Sequence, residues 1–192
     1  MSDNRNEFEQ LREVQVSSEK VFGGHLLHVY KDAITLPNGK EASREYIRHQ
    51  GAVAVVPLTE NNEVYIVRQF RYPMNEVLTE IPAGKLDGPD EDHLEAAKRE
   101  LSEETGVTAD TWIDLGEYYP TPAYSSEVIY LYLAKGLHQG KQHTDEDEFL
   151  TAKTVPLKEL IADVMKGLIP DGKTQTALIK ADLYLRQAEE QA

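Results

Sequence analysis

The sequence predicts an α/β protein: a three-layer α/β/α sandwich around a mixed β-sheet, with an N-terminal antiparallel β subdomain. Three observations carry this expectation. Residues 51–58, GAVAVVPL, form a short unbroken apolar run, as in a central strand buried on both faces. Residues 91–107 have helical periodicity, with Leu94, Ala97 and Leu101 on one side. The first fifty residues are rich in β-branched and aromatic types and are broken by Gly23-Gly24 and Pro37-Asn38-Gly39. Mixed strands with helices before and after them pack as layers around a shared core.

Taken in order, residues 1–13 are polar and read as a flexible N-terminal arm. Residues 14–30 alternate loosely and break at Gly23-Gly24, which predicts a hairpin. Segments 32–36 and 42–49 flank the Pro-Asn-Gly turn and predict a second hairpin. After the apolar run, Asn61-Asn62 turns the chain into a strand at 64–70, and a loop leads to a strand at 78–82. The helix that follows has marked ends. Asp92 with Glu95 reads as a capping box, Glu91 and Asp92 complement the helix dipole, and Gly106 suits a left-handed C-terminal position. Strands are expected at 111–119 and 127–134, a polar acidic loop at 136–147, and a strand at 149–155. A short helix at 157–166 and a terminal helix at 171–188, with Leu178, Ala181 and Leu185 as its apolar side, complete the chain. The organisation expected is an arm (1–13), N-terminal β-strands with a dimerisation role (14–50) and one main domain (51–192).

Composition narrows the function. A chain of 192 residues buries a real core. A formal net charge of −14 argues against nucleic acid as a partner, since phosphate backbones require a basic face. No apolar run approaches ~20 residues and the start lacks a signal-peptide core, so neither membrane nor export is expected. Zero cysteines exclude disulfides and thiolate zinc sites and suit a cytoplasmic protein. The six histidines have no zinc-ligand spacing and receive no function.

Chemistry concentrates on the helix at 91–107. Glu100, Glu103 and Glu104 stand at i, i+3 and i+4, so they form one acidic stripe. At about 100° per residue, Glu100 and Glu104 project beside the apolar stripe, at the margin of the core. A merely hydrated face would turn its acids away from the core. These acids stand where a cleft would form.

The string Gly84, Glu91, then Arg99-Glu100-Leu101-Ser102-Glu103-Glu104-Thr105-Gly106-Val107 resembles the Nudix box, G-x5-E-x7-R-E-U-x-E-E-x-G-U with U aliphatic. Everything from Glu91 onward is in register. Six residues, not five, separate Gly84 from Glu91. Beyond the box, LPNGKEASREYIRHQGAVAVVPL, VRQFRYP, EIPAGKLD and DEDEFL are similar to the ADP-ribose pyrophosphatase branch. The resemblance implies a Nudix-type α/β/α sandwich and a homodimer joined through the N-terminal strands. It also implies Mg²⁺-dependent hydrolysis of ADP-ribose to AMP and ribose 5-phosphate, with Mn²⁺ as a substitute ion. It implies metal ligands at Ala83 (through its carbonyl), Glu100, Glu103 and Glu104. The general base is expected at Glu148, then Glu146, with Glu103 next. Substrate contacts are implied at Arg44, Glu45, Arg71, Lys85, Thr121 and Glu127. Two rivals are the same chemistry on another nucleoside diphosphate sugar, such as ADP-glucose or GDP-mannose, and a non-catalytic ADP-ribose sensor. The intact box glutamates weigh against the sensor.

Overall fold

The computed structural model describes residues 3–143 and 149–190. They fall into two compact units, Met1–His49 with Thr121–Glu127, and Gln50–Pro120 with Val128–Ala192.

The first unit carries a helix α1 (Asp3–Leu11) and a three-stranded antiparallel sheet of β1 (Val14–Gly23), β2 (His28–Thr35) and β3 (Glu41–Arg48). The segment expected as an arm is therefore helical over most of its length. The two expected hairpins share their middle strand, because β2 runs through Lys31 without a break. Cross-strand pairing explains this: Tyr30 faces Tyr46, Lys31 faces Glu45 and Asp32 faces Arg44, so aromatic and opposite-charge pairs support one ladder. The Pro-Asn-Gly turn forms as expected, with Gly39 at φ 79° and its N–H on the Leu36 carbonyl at 2.8 Å. Residues 121–125 make a turn in which the Tyr124 and Ser125 amides donate to the Thr121 carbonyl at 3.1 and 3.0 Å. Phe22, in β1, is exposed.

The second unit is the layered part. A four-stranded mixed sheet has the order β7 (Ala83–Lys85), β4 (Ala52–Pro57), β9 (Ile129–Gln139), β8 (Val107–Tyr118). The β4–β9 pair is parallel and the others are antiparallel. A second antiparallel sheet has the order β10 (Leu150–Pro156), β5 (Glu63–Arg71), β6 (Glu76–Glu80). Three helices complete the unit: α2 (His93–Thr105), α3 (Leu157–Met165) and α4 (Gly172–Glu190). Every residue of β4 is buried, and its alternation divides the core. Val53 and Val55 pack with Ala96, Ala97 and Leu101 of α2, whereas Ala54 and Val56 pack with Leu160, Ala177 and Leu178 of α3 and α4. Each fully buried Val or Leu contributes roughly 1.5–3 kcal/mol from removal of apolar surface from water. The sheet is thus a layer between helices, as predicted.

Two further elements differ from expectation. The strand expected to end near Ala134 continues to Gln139, because the start of β8 reaches back to Val107 and pairs with it, Thr108 against His138. The short strand β7 lies in IPAGK, a string that reads locally as a turn. No described helix is long and apolar enough to cross a membrane.

Candidate active site

The site is built on α2. Its N-terminus is capped by Asp92, whose Oδ1 accepts the Leu94 and Glu95 amides at 2.9 and 3.0 Å. The reciprocal half of the capping box does not form, since Glu95 accepts instead from Lys98 at 2.7 Å. At the other end Gly106 adopts the left-handed conformation, φ 72°, and its N–H closes on the Ser102 carbonyl at 2.8 Å. With both ends fixed and Leu101 anchored in the core, Glu100 and Glu104 are delivered to one edge of the sheet.

That edge is β7. Glu104 is 2% exposed, and its Oε2 accepts the Ala83 N–H at 3.1 Å. A carboxylate so deeply buried requires polar partners. The Glu100 carboxylate lies against the next residue, Gly84, so closely that a β-carbon there would overlap it. Two carboxylates one helical turn apart therefore flank a single backbone segment, Ala83-Gly84.

Arg99 secures the arrangement. Its Nη1 donates to Glu100 Oε1 at 2.7 Å and to Glu103 Oε2 at 3.2 Å. Its Nη2 donates to the Lys85 carbonyl at 3.3 Å and to Glu91 Oε1 at 3.2 Å. Burial, the largest single influence, disfavours the charged guanidinium, but the surrounding carboxylates, Glu100 foremost with Asp87 and Glu91, together raise the Arg99 pKa above the ordinary arginine value. Glu91, just ahead of the cap, accepts the Asp87 N–H at 2.6 Å. That bond is the largest influence holding its carboxyl below the usual range, and Arg99 adds to it.

A cleft of about 460 Å³ opens here, lined by Gln50, Gln69, Ala83, Gly84, Lys85, Arg99, Glu100 and Glu103 among others. Among the described residues, no three acidic, histidine or cysteine side chains converge as a ready-made metal cluster. The groups on offer are oxygens: the carboxylates of Asp87, Glu100 and Glu103 in the lining, Glu104 beside Ala83, and backbone carbonyls. Such a set fits a hard divalent ion that keeps part of its water shell; among the described residues the lining holds no histidine or cysteine, the side chains that zinc favours.

The family model described as NUDIX domain matches residues 48–175. The chain belongs to the Nudix family. An ADP-ribose pyrophosphatase of Bacillus subtilis (strain 168) is 36% identical over 170 residues, covering 88% of this chain and 91% of the relative. A methanol dehydrogenase activator of Bacillus methanolicus is 38% identical over 168 residues, 86% of this chain and 90% of the relative. A GDP-mannose pyrophosphatase of Yersinia enterocolitica is 32% identical over 171 residues, 82% and 88% of the two chains. Among solved structures, an ADP compounds hydrolase superposes with a TM-score of 0.79 at 24% identity, covering 92% of this chain and 96% of that one, which supports the Nudix fold.

Within the Nudix box, the extra residue between Gly84 and Glu91 is taken up by a turn. The Glu91 N–H meets the Gly88 carbonyl at 3.3 Å, and a β-carbon on Gly88 would find open space. Both Gly84–Glu100 and Glu91–Arg99 contacts survive the insertion.

Of the residues singled out from sequence, Ala83, Lys85, Glu100, Glu103 and Glu104 gather on α2 and β7. Arg71, in β5, forms a two-pronged pair with Glu80: Nε to Oε1 at 2.7 Å and Nη2 to Oε2 at 2.6 Å. Glu80 is the foremost cause of its raised pKa, and Glu104 adds to it. Arg44, Glu45, Thr121 and Glu127 belong to the first unit. There Arg44 pairs with Glu13, Glu45 lies 3.7 Å from Lys31, and Glu127 lies 3.9 Å from His49. Glu146 and Glu148 lie outside the described residues. Sequence reading missed Gln50 and Gln69 as lining groups. Their only signal is that each is an amide beside an apolar run, which many surface residues share.

Proposed function

We infer that this chain is a Mg²⁺-dependent pyrophosphohydrolase that cleaves ADP-ribose to AMP and ribose 5-phosphate. The observation that carries the reading is the pair of carboxylates, Glu100 and Glu104, clasping the Ala83-Gly84 backbone. The sequence likeness to an ADP-ribose pyrophosphatase supplies the substrate class. Glu100, Glu104 and the Ala83 carbonyl are assigned to Mg²⁺, with Glu103 as a further ligand and Mn²⁺ as a substitute. When bound, the ion offsets the pyrophosphate charge and makes water more acidic. Water adds across the P–O–P link: one phosphorus gains the hydroxyl, and the other keeps the bridging oxygen. Arg71 and Lys85 are assigned to the diphosphate, since a guanidinium donates paired hydrogen bonds to phosphate oxygens. Arg44, Glu45, Thr121 and Glu127 are assigned to the remaining substrate groups. The cytoplasm is the proposed location, in keeping with the lack of cysteine.

A panel of ADP-ribose, ADP-glucose and GDP-mannose, with products identified by phosphorus NMR, tests the substrate. The expected result is the highest kcat/KM on ADP-ribose with AMP released. The likeness to a GDP-mannose pyrophosphatase makes GDP-mannose the second reading, and a clear preference for it would replace the first.

The base is assigned to Glu148. In an extended segment Glu146 points to the same side, so the two could share the role in part. Glu148→Gln should lower kcat strongly with little change in KM, Glu146→Gln should lower it less, and the double variant should resemble Glu148→Gln. Single-turnover hydrolysis reads this. Small, equal losses in all three would move the role to Glu103.

The proposed assembly is a homodimer joined through the N-terminal strands. Its support is that β1 is exposed along its whole length, including Val14, Val16, Val21 and Phe22. Light scattering should give twice the chain mass. A monomer that stays fully active at nanomolar concentration would contradict it.

A further inference from the structure

Beside the carboxylate cradle, the second unit buries another set of charges. Glu80, the last residue of β6, is 1% exposed and holds two cations at once: Arg71 across both carboxylate oxygens, and the Lys173 ammonium on Oε2. Burial alone would raise its pKa, yet the Arg71 and Lys173 contacts outweigh burial and hold it below the usual carboxylate range.

The two cations are anchored differently. The Lys173 side chain is 11% exposed and that of Arg71 is 40% exposed. Lys173 stands in the first turn of α4, and its ammonium also donates to Asp171 at 3.0 Å. Asp171 caps the same turn, accepting the Thr174 amide at 3.0 Å and the Thr174 hydroxyl at 2.6 Å. The Thr174 hydroxyl oxygen in turn accepts the Ile81 N–H at 3.0 Å. One helical turn thus grips two adjacent residues, Glu80 by its side chain and Ile81 by its backbone, just ahead of Ala83. Arg71 is hydrogen-bonded to this fixture through Glu80. Glu80 occupies its Nε and one Nη2 hydrogen, so the remaining N–H groups, on Nη1 and Nη2, point away from the pair.

We propose that Lys173 is a positioning residue for the substrate diphosphate: it pins the buried Glu80 carboxylate, which fixes the plane of the Arg71 guanidinium. This rests on Arg71 being a diphosphate contact. A guanidinium already held in place gives up less freedom when the anion arrives, so the substrate binds more tightly. Without Lys173, Glu80 would keep Arg71 as its cation but lose its tie to the first turn of α4, and the carboxylate and the Arg71 fork would move together.

The test is calorimetric binding of the non-hydrolysable α,β-methylene analogue of ADP-ribose to the full chain in Mg²⁺, with melting temperature and Mn²⁺ binding by EPR measured in parallel. Lys173→Met should weaken analogue binding about tenfold while Mn²⁺ binding is unchanged. Lys173→Arg, which restores a cation, should recover most of the loss. Arg71→Met should weaken binding at least as much, and the double variant should bind no more weakly than Arg71→Met alone. If Lys173→Met does not fold, Lys173→Gln, shorter and uncharged, carries the same expectation. A lower melting temperature with wild-type analogue binding would make Lys173 merely structural and overturn the proposal, as would losses that simply add. Should Arg71→Met itself bind like wild type, the reading of Arg71 falls first and the proposal falls with it.

Discussion

Glu104→Gln is expected to lower kcat by at least about a hundredfold, the scale of losing a group that stabilises developing charge. The substitution is nearly isosteric, and the amide oxygen can still accept the Ala83 N–H that Glu104 holds at 3.1 Å. What disappears is the charge, at a position only 2% exposed where little solvent screens it. The melting temperature should therefore hold while turnover falls. Glu100→Gln should behave alike, with an added weakening of Arg99, because Glu100 is the carboxylate that most favours its charge. Near-wild-type turnover by either variant at saturating Mg²⁺ would remove that residue from the ligand set.

Gly84→Ala is the second large effect. The backbone of residue 84 is not in the left-handed region, so alanine suffers no conformational strain there. Its β-carbon would instead meet the carboxylate carbon and both oxygens of Glu100. Glu100 cannot yield freely, since Arg99 holds it at 2.7 Å. The carboxylate must leave either its arginine or its place in the cleft, and divalent-ion affinity should fall about ten- to a hundredfold, as for lost support around a ligand. Gly88→Ala is the control, because nothing stands within reach of a β-carbon there. Mn²⁺ binding by EPR reads both. Unaltered affinity in Gly84→Ala would mean that Glu100 does not hold the ion from its present position.

Much of this was legible in the sequence because its causes are local. The ends of α2 are marked by Asp92 and Gly106, which act on amides and carbonyls within a turn of themselves. The β4 strand announces itself by composition, and the acidic stripe by helical spacing. What was not legible depends on partners far along the chain. β7 is three residues long and exists because β4 offers it a ladder. The end of β9 stays extended because β8 reaches it, although Gly136 and the polar residues after it read as a loop. Glu80 and Lys173 are 93 residues apart, and nothing local to either signals that they meet. The box fixed where the carboxylates lie along α2, but only the folded chain places Gly84 beneath Glu100.

Glu100, Glu104 and the Ala83 carbonyl are proposed to hold the catalytic ion. Anomalous diffraction from crystals grown with Mn²⁺ and the α,β-methylene analogue of ADP-ribose tests it most directly. The expected result is an anomalous peak within oxygen-ligand distance of both carboxylates and that carbonyl, in contact with the diphosphate. A diphosphate bound with its ions elsewhere, and none between Glu100 and Glu104, would contradict it.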